Sequence, residues 1–427
     1  MVKEKHNKID RRLFLKTMGA AGLAPAFAGV TNVFASDEAM AGPNEPNAPG
    51  KLQKPKLPQV PRRKLGKIGV EVSCLCLGGD FSFIDKQIVL RKALEWGVNY
   101  WDTAYNYGGG NAELGIGKFL SKNPKVREKL FIVSKSAIFW GATTAEKVEN
   151  RLQTSLKRMN TDYVDLYYGF HGLSDPGLLT DELKQWAKSA KKRKLIRFFG
   201  FSTHKNMVQC LAAAAKLDWI DAVTTLYNFR VMQDRKMQAA IEACHKAGKG
   251  LTAMKAFSLG VRRLQPVETE QDKKLLAHFQ KRGFTEGQAK IKVVLEDKRF
   301  SSVCVGIPNI SLLTTNVDAV LNKTKLTQDD KEVLKKYAEA TCSGYCAGCA
   351  YICNSALPDV PYVSDIMRYL MYYNSYGERD RARELFARIP SNVRDKLLRM
   401  DYSLAEARCP QCMPIGKLVA EAVSKLA

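Results

Sequence analysis

Acidic residues are in short supply: 43 Asp and Glu stand against 67 Lys and Arg, a formal charge of +24 over 427 residues. No arginine-rich low-complexity tract gathers the positive charge. The lysines are scattered through amphipathic segments, so the excess reads as a solvated basic surface, and nucleic-acid binding is not expected. Also missing is an apolar run of the roughly 20 residues a membrane-spanning helix needs, so the mature chain carries no transmembrane segment. No G-x-G-x-x-G follows the first strand-like stretch, which weakens an open doubly wound sheet. No flavin motif is evident. No Ser or Cys nucleophile stands paired with a histidine, which removes acyl transfer. What remains, 45% apolar and 26% charged residues, has the balance of a soluble globular chain with one large domain and a small second one.

The N-terminus carries an address. In "DRRLFLKTMGAAGLAPAFAGV" the pair Arg11–Arg12 precedes Phe14, Leu15 and Lys16, and a short Gly- and Ala-rich apolar run leads to Ala35. This resembles a twin-arginine export signal over residues 1–35, an alternative being an ordinary secretory signal. The expected location is therefore periplasmic or otherwise exported. Twin-arginine export carries folded proteins, so a cofactor inserted in the cytoplasm could cross with the chain. Residues 36–60, rich in Pro, Asn and Gly without periodicity, read as a flexible linker.

From residue 72 the pattern alternates. The strand candidates are "VSCLCLG", "VNYWDT", "LFIVSK", "VDLYYGFH", "IRFFGFS", "AVTTL", "LTAMKA" and "SSVCVG". Helical spacing lies between them, most clearly in "TTAEKVENRLQTSLKRM", where Val148, Leu152 and Leu156 recur every fourth position and Thr143 with Glu146 forms a capping-box pattern. Eight strand–helix units over residues 61–330 predict a parallel, closed (β/α)8 TIM barrel, an α/β fold. In such a barrel chemistry sits at the C-terminal strand ends. Asp102, Lys135 and His171 follow the second, third and fourth strands, with Tyr107 just beyond Asp102. A phenol near its ordinary pKa of about 10 is a poor acid at neutral pH. An ammonium such as Lys135, held by Asp102, would favour its ionised form. His171 would orient a substrate oxygen. Together they suit protonation of a carbonyl oxygen while hydride reaches its carbon.

These segments carry a family resemblance. "NYWDTAYNYGGGNAELGIGKFL", "LFIVSK" and "YVDLYYGFH" resemble the three tetrad segments of the aldo-keto reductases, and "RRKLGKIGVEVSCLCLGG" is similar to that family's opening hairpin and first strand. The resemblance covers about residues 61–322. It implies that Asp102, Tyr107, Lys135 and His171 are the catalytic tetrad, with Tyr107 as general acid in reduction and general base in oxidation. It also implies a nicotinamide cofactor, NADP or NAD, contacted by Ser202, Thr203, Met254, Lys255, Gly306, Pro308, Asn309 and Asn316. Thr224 stands where many members have Gln, and Asn309 where several have a base that reads the 2′-phosphate. The implied reaction interconverts a small carbonyl and an alcohol. Rivals are an electron-transfer or binding module on a repurposed barrel, and an exported polyol- or sugar-modifying dehydrogenase. The barrel's own Cys74, Cys76, Cys210, Cys244 and Cys304 read as buried, inert thiols.

Residues 331–427 form a helical, cysteine-rich appendix. It is bracketed by "CSGYCAGCAYIC" and "RCPQCMPIGKL", giving Cys342, Cys346, Cys349, Cys353, Cys409 and Cys412. Short gaps and a Cys-Pro are a pattern of iron–sulfur ligation. They resemble the ferredoxin-like tail of a subset of aldo-keto reductases, which implies one 4Fe-4S cluster at most, because six cysteines cannot fill two sites. Disulfides, zinc and free thiols remain open. A redox partner is a further expectation.

Overall fold

The computed structural model describes residues 57–136, 143–259, 261 and 269–427. The expected export signal, residues 1–35, and most of the expected linker lie outside the described residues. The first element among the described residues is an antiparallel hairpin, β1 (Arg62–Lys64) and β2 (Glu71–Ser73). Eight parallel strands follow: β3 (Leu75–Gly78), β4 (Tyr100–Asp102), β5 (Phe131–Lys135), β6 (Val164–Phe170), β7 (Ile196–Thr203), β8 (Ala222–Leu226), β9 (Gly250–Met254) and β10 (Ser302–Gly306). They pair in sequence order, and β10 returns to β3 to close the barrel. All eight strand candidates became barrel strands.

Two apolar layers explain the closure. Inside the barrel Cys76, Tyr100, Phe131, Val133, Leu166 and Tyr168 pack with Leu65 and Val72 of the hairpin, so the hairpin plugs the N-terminal end. The two interior phenols are satisfied locally. Tyr100 pairs with Thr252 at 3.1 Å and Tyr168 with Thr224 at 2.8 Å, as buried Tyr hydroxyls generally require. Thr224, at the position where many aldo-keto reductases have Gln, is thereby committed to the barrel interior. The second layer fills the space between strands and helices, with Trp101, Phe119, Leu152, Tyr167, Phe199 and Ile241 among its buried members.

Helix Ala145–Met159 shows how pattern became packing. Val148, Leu152 and Leu156 are buried on one face as their spacing predicts. Its cap is shifted by one residue: Thr144, not Thr143, accepts the bond from the backbone N–H of Lys147. A lysine at the third helical position cannot return the bond, so the expected Thr143–Glu146 capping box does not form.

Beyond β10 lie helices Ile310–Leu321 and Gln328–Ala340, then a run of short helices ending in Ile415–Leu426. Leu357, Ile366, Leu370, Phe386, Leu418 and Val419 give this segment its own apolar cluster, joined by Val261 from beyond β9. Among the described residues no helix is long and apolar enough to cross a membrane.

Candidate active site

The strand register assembles the site. Asp102 ends β4 and pairs with Val133 of β5. Lys135 lies two residues further along β5, on the same interior face, and its ammonium reaches Asp102 Oδ1 at 2.5 Å and the Thr103 carbonyl at 2.8 Å. Tyr107 opens the short turn Tyr107–Gly110, where Gly108, Gly109 and Gly110 all have positive φ (54°, 66° and 99°). That left-handed run folds the loop back over the barrel mouth. The phenol oxygen of Tyr107 then stands 3.4 Å from Lys135 Nζ and 3.1 Å from His171 Nε2. The Tyr107 and His171 rings meet edge to face at 5.0 Å. The four expected residues thus share one hydrogen-bonded group.

Their electrostatics differ in one respect from the sequence reading. Burial raises the Tyr107 phenol well above its ordinary value, and the carboxylates of Asp80 and Asp102 push the same way against Arg381. Lys135, expected to lower it, is already held by Asp102. Burial also raises Asp102 despite the Lys135 ammonium. His171 is driven well below the usual histidine value, first by burial and then by Lys135, Arg381 and Lys255. It is a neutral imidazole at neutral pH.

The residues expected to hold a nicotinamide ring the same mouth. Ser202 and Thr203 end β7, and their hydroxyls donate to the carbonyls of His171 (2.9 Å) and Leu173 (2.7 Å). This leaves their oxygens as acceptors. Met254 ends β9, and Lys255 follows with φ of 61°. Gly306 ends β10, and a Cβ there would meet nothing within 4 Å. Pro308 leads to Asn309, which caps helix Ile310–Leu321 by accepting from the Leu312 N–H at 2.9 Å. Asn316 is buried, and its amide nitrogen has no hydrogen-bond partner. Asn309 takes up the Leu312 N–H of this helix N-terminus, and the orphaned Asn316 amide lies further along the same helix. An N-terminal helix turn and an unmatched amide donor fit a phosphate-bearing dinucleotide.

Sequence reasoning missed the residues that the C-terminal segment and the first strand end bring here. Arg381 Nη1 lies 2.5 Å from Asp80 Oδ2 and 2.9 Å from Glu378 Oε2. The Lys255 ammonium sits over the rings of Tyr372 and Tyr376, at 5.5 and 4.9 Å. Asp80 follows β3 and was readable from the strand-end rule. The others were not, because nothing local ties residues near 370–380 to the barrel.

The six tail cysteines separate into two groups. Cys346, Cys349, Cys353 and Cys409 line one cavity with Met367, Met413 and Ile415. Cys342 and exposed Cys412 are not among its lining residues. No disulfide forms, and all eleven cysteines are free thiols. Burial and the neighbouring sulfurs raise Cys349 and Cys353 to about 12. Among the described residues no three His, Cys, Asp or Glu converge closely enough to hold a single metal ion. In the barrel Cys74, Cys76, Cys210 and Cys244 are buried and Cys304 half-buried. Burial raises Cys74 to about 11 and Cys210 and Cys244 to about 12, so these are inert thiols at neutral pH.

The barrel and its mouth agree with what the chain is similar to. The profile of the aldo/keto reductase family matches residues 77–339, and the chain belongs to that family of oxidoreductases. A curated relative named aldo-keto reductase, from Gibberella moniliformis, is 33% identical over 175 residues, 40% of this chain. The matched stretch spans about half (51%) of that relative. Among solved structures, the holo form of aldo-keto reductase AKR11C1 from Bacillus halodurans superposes with a TM-score of 0.55 at 21% identity, covering 65% of this chain and 96% of that one. A thermostable aldo-keto reductase, Tm1743, in complex with the inhibitor epalrestat gives 0.53 at 26%, covering 65% and 99%.

Proposed function

We propose that this protein is an exported oxidoreductase that interconverts a small carbonyl compound and an alcohol with a nicotinamide dinucleotide. The observation that carries the reading is the Tyr107 hydroxyl, held between His171 Nε2 and Lys135 Nζ with Asp102 behind the lysine. A phenol raised by burial still carries its proton at neutral pH, so Tyr107 has a proton to give a carbonyl oxygen, but as a weaker acid than a free phenol. The Lys135 ammonium beside it would have to stabilise the phenolate as the proton leaves. Neutral His171 can share a hydrogen bond with that oxygen and fix its position. When bound, the dinucleotide supplies the hydride. Ser202 and Thr203 would accept from its carboxamide, while Gly306, Pro308, Asn309 and Asn316 would hold its phosphates, with Met254 and Lys255 alongside. NADP rather than NAD rests on family habit, since Asn309 offers no positive charge for a 2′-phosphate.

Cys346, Cys349, Cys353 and Cys409 are the set we assign to one 4Fe-4S cluster. Their thiols line one shared cavity, and short cysteine gaps of this kind are a pattern of iron–sulfur ligation. The cluster would exchange single electrons with a redox partner. The Arg11–Arg12 signal supports export of a folded, cofactor-loaded chain.

The test follows nicotinamide absorbance over an aldehyde and ketone panel with full-length protein. Turnover that drops at least a hundredfold in Tyr107→Phe supports the reading. Turnover unchanged in that variant sinks it.

A further inference from the structure

Beside the tetrad, beneath helix Val363–Met371, lies a cavity of about 30 Å³ that the reaction above does not use. That is space for about two waters, or for the oxygens of one small anionic group. Its lining includes Gly172, adjacent to His171, then His204 and Lys205 from beyond β7, and Asp365, Arg368, Tyr369 and Arg381 from the C-terminal segment, so one carboxylate stands among the cations.

The charges around it are paired unevenly. Lys205 is matched by Asp365 at 2.6 Å, and Arg381 by Asp80 and Glu378. Among the described residues Arg368 has no carboxylate partner. Its one hydrogen bond goes to the His204 carbonyl at 2.8 Å, although a guanidinium carries five N–H donors in a fork suited to carboxylate. Lys255 nearby also lacks a carboxylate partner and rests on tyrosine rings. Burial pushes the Tyr372 phenol up, yet Lys255, Arg368 and Arg381 outweigh it and hold that phenol below its ordinary value.

Two buried polar atoms of residues lining this cavity are orphaned. The Tyr369 hydroxyl and His204 Nδ1 have no hydrogen-bond partner. Buried polar groups are rarely left unmatched without a ligand or water to meet them. A carboxylate would accept from Tyr369 and meet the Arg368 fork.

We propose that this cavity binds the carboxylate of an oxo-acid substrate while the same molecule's carbonyl reaches Tyr107 and His171. The inference rests on the carbonyl reading above and narrows its substrate class to acidic aldehydes or ketones. Carbonyl carbon would gain the hydride of the nicotinamide and carbonyl oxygen the Tyr107 proton, leaving the carboxylate unchanged.

Matched ω-oxo acids and neutral aldehydes of equal chain length provide the test, together with calorimetric binding of succinate, which cannot react. A charge-assisted bond of this kind corresponds to about ten- to a hundredfold in kcat/KM. The wild type should prefer the oxo acids by that factor. In Arg368→Met the ratio should fall toward one and succinate binding should weaken by about tenfold. Tyr369→Phe, which removes only the orphaned hydroxyl, should weaken succinate by a few-fold and guards against a misfolded arginine variant. Equal turnover of both substrate classes with no succinate binding overturns the proposal while leaving Tyr107's role intact. Succinate binding that depends on Arg368, in protein that reduces no carbonyl, supports the cavity and sinks the Tyr107 reading. Tighter binding of inorganic phosphate than of succinate would overturn the carboxylate assignment.

Discussion

Arg381 donates to Asp80 at 2.5 Å across 301 positions of sequence, tying the C-terminal segment to the end of the first barrel strand. Both side chains keep partial solvent access, so the pair itself stabilises by only about 1 kcal/mol. Its larger effect is electrical, because Asp80 is the leading charge holding the Tyr107 phenol up. Asp80→Asn should therefore lower the Tyr107 pKa. In alcohol oxidation the alkaline rise of kcat/KM should move to lower pH than in wild type. An unshifted limb would disconnect Asp80 from the site.

The two central groups set the rest of the pH profile. Burial holds Tyr107 protonated well above its usual range and His171 neutral well below its own. The kcat/KM for carbonyl reduction should run flat from about pH 6 to pH 9. A break near pH 6.5 that disappears in His171→Gln would show an imidazolium at work and refute the neutral-histidine assignment.

Most of the barrel was legible because its signals are local. Strands such as "LFIVSK" and "VDLYYGFH" are continuous apolar runs, as parallel strands buried on both faces must be. Asp102, Lys135 and His171 stand out as polar residues where those runs end. The tail was legible only as helices and cysteines. The contact of Arg368 with the His204 carbonyl, or of Tyr372 with Lys255, depends on how a cluster around Ile366 and Leu370 seats over the barrel. No periodicity encodes that seating. The Cys-Pro pair already favours Cys409 over Cys412 as the distant ligand, and Cys412, in a turn with φ of 48°, is not among the residues lining the cavity.

That separation is testable by spectrum. Anaerobically purified wild type should contain iron and sulfide with visible thiolate-to-iron absorbance. Cys346→Ser and Cys409→Ser should lose most of it, whereas Cys342→Ser and Cys412→Ser should retain it. Colourless, iron-free wild type would remove the cluster, and equal loss in all four variants would remove the assignment.

Acid stability follows from the two buried histidines. His171 and His204 are both driven well below 6.5, chiefly by burial and then by neighbouring cations. The unfolded chain therefore takes up protons that the folded chain refuses. Stability from these groups is complete above about pH 6.5 and is lost as pH falls toward their folded values. Tm should decline from pH 6.5 to pH 5, and His204→Asn should flatten that slope. A Tm independent of pH over this range would contradict the burial of both rings.

Gly348 tests the seating of the tail most sharply. It lies in the cysteine loop with φ of 78°, and a Cβ there would fall 2.4 Å from the His204 carbonyl oxygen. The loop is pinned at this point, because the Asn206 N–H donates to the Gly348 carbonyl at 2.8 Å. Alanine would add left-handed strain of about 1–2 kcal/mol to a contact that backbone cannot easily yield. Gly348→Ala should lower Tm by several degrees. Because the His204 carbonyl also accepts the Nη2–H of Arg368, the variant should weaken succinate binding as well. Wild-type Tm together with wild-type succinate binding would mean that the cysteine loop does not rest against the barrel as described.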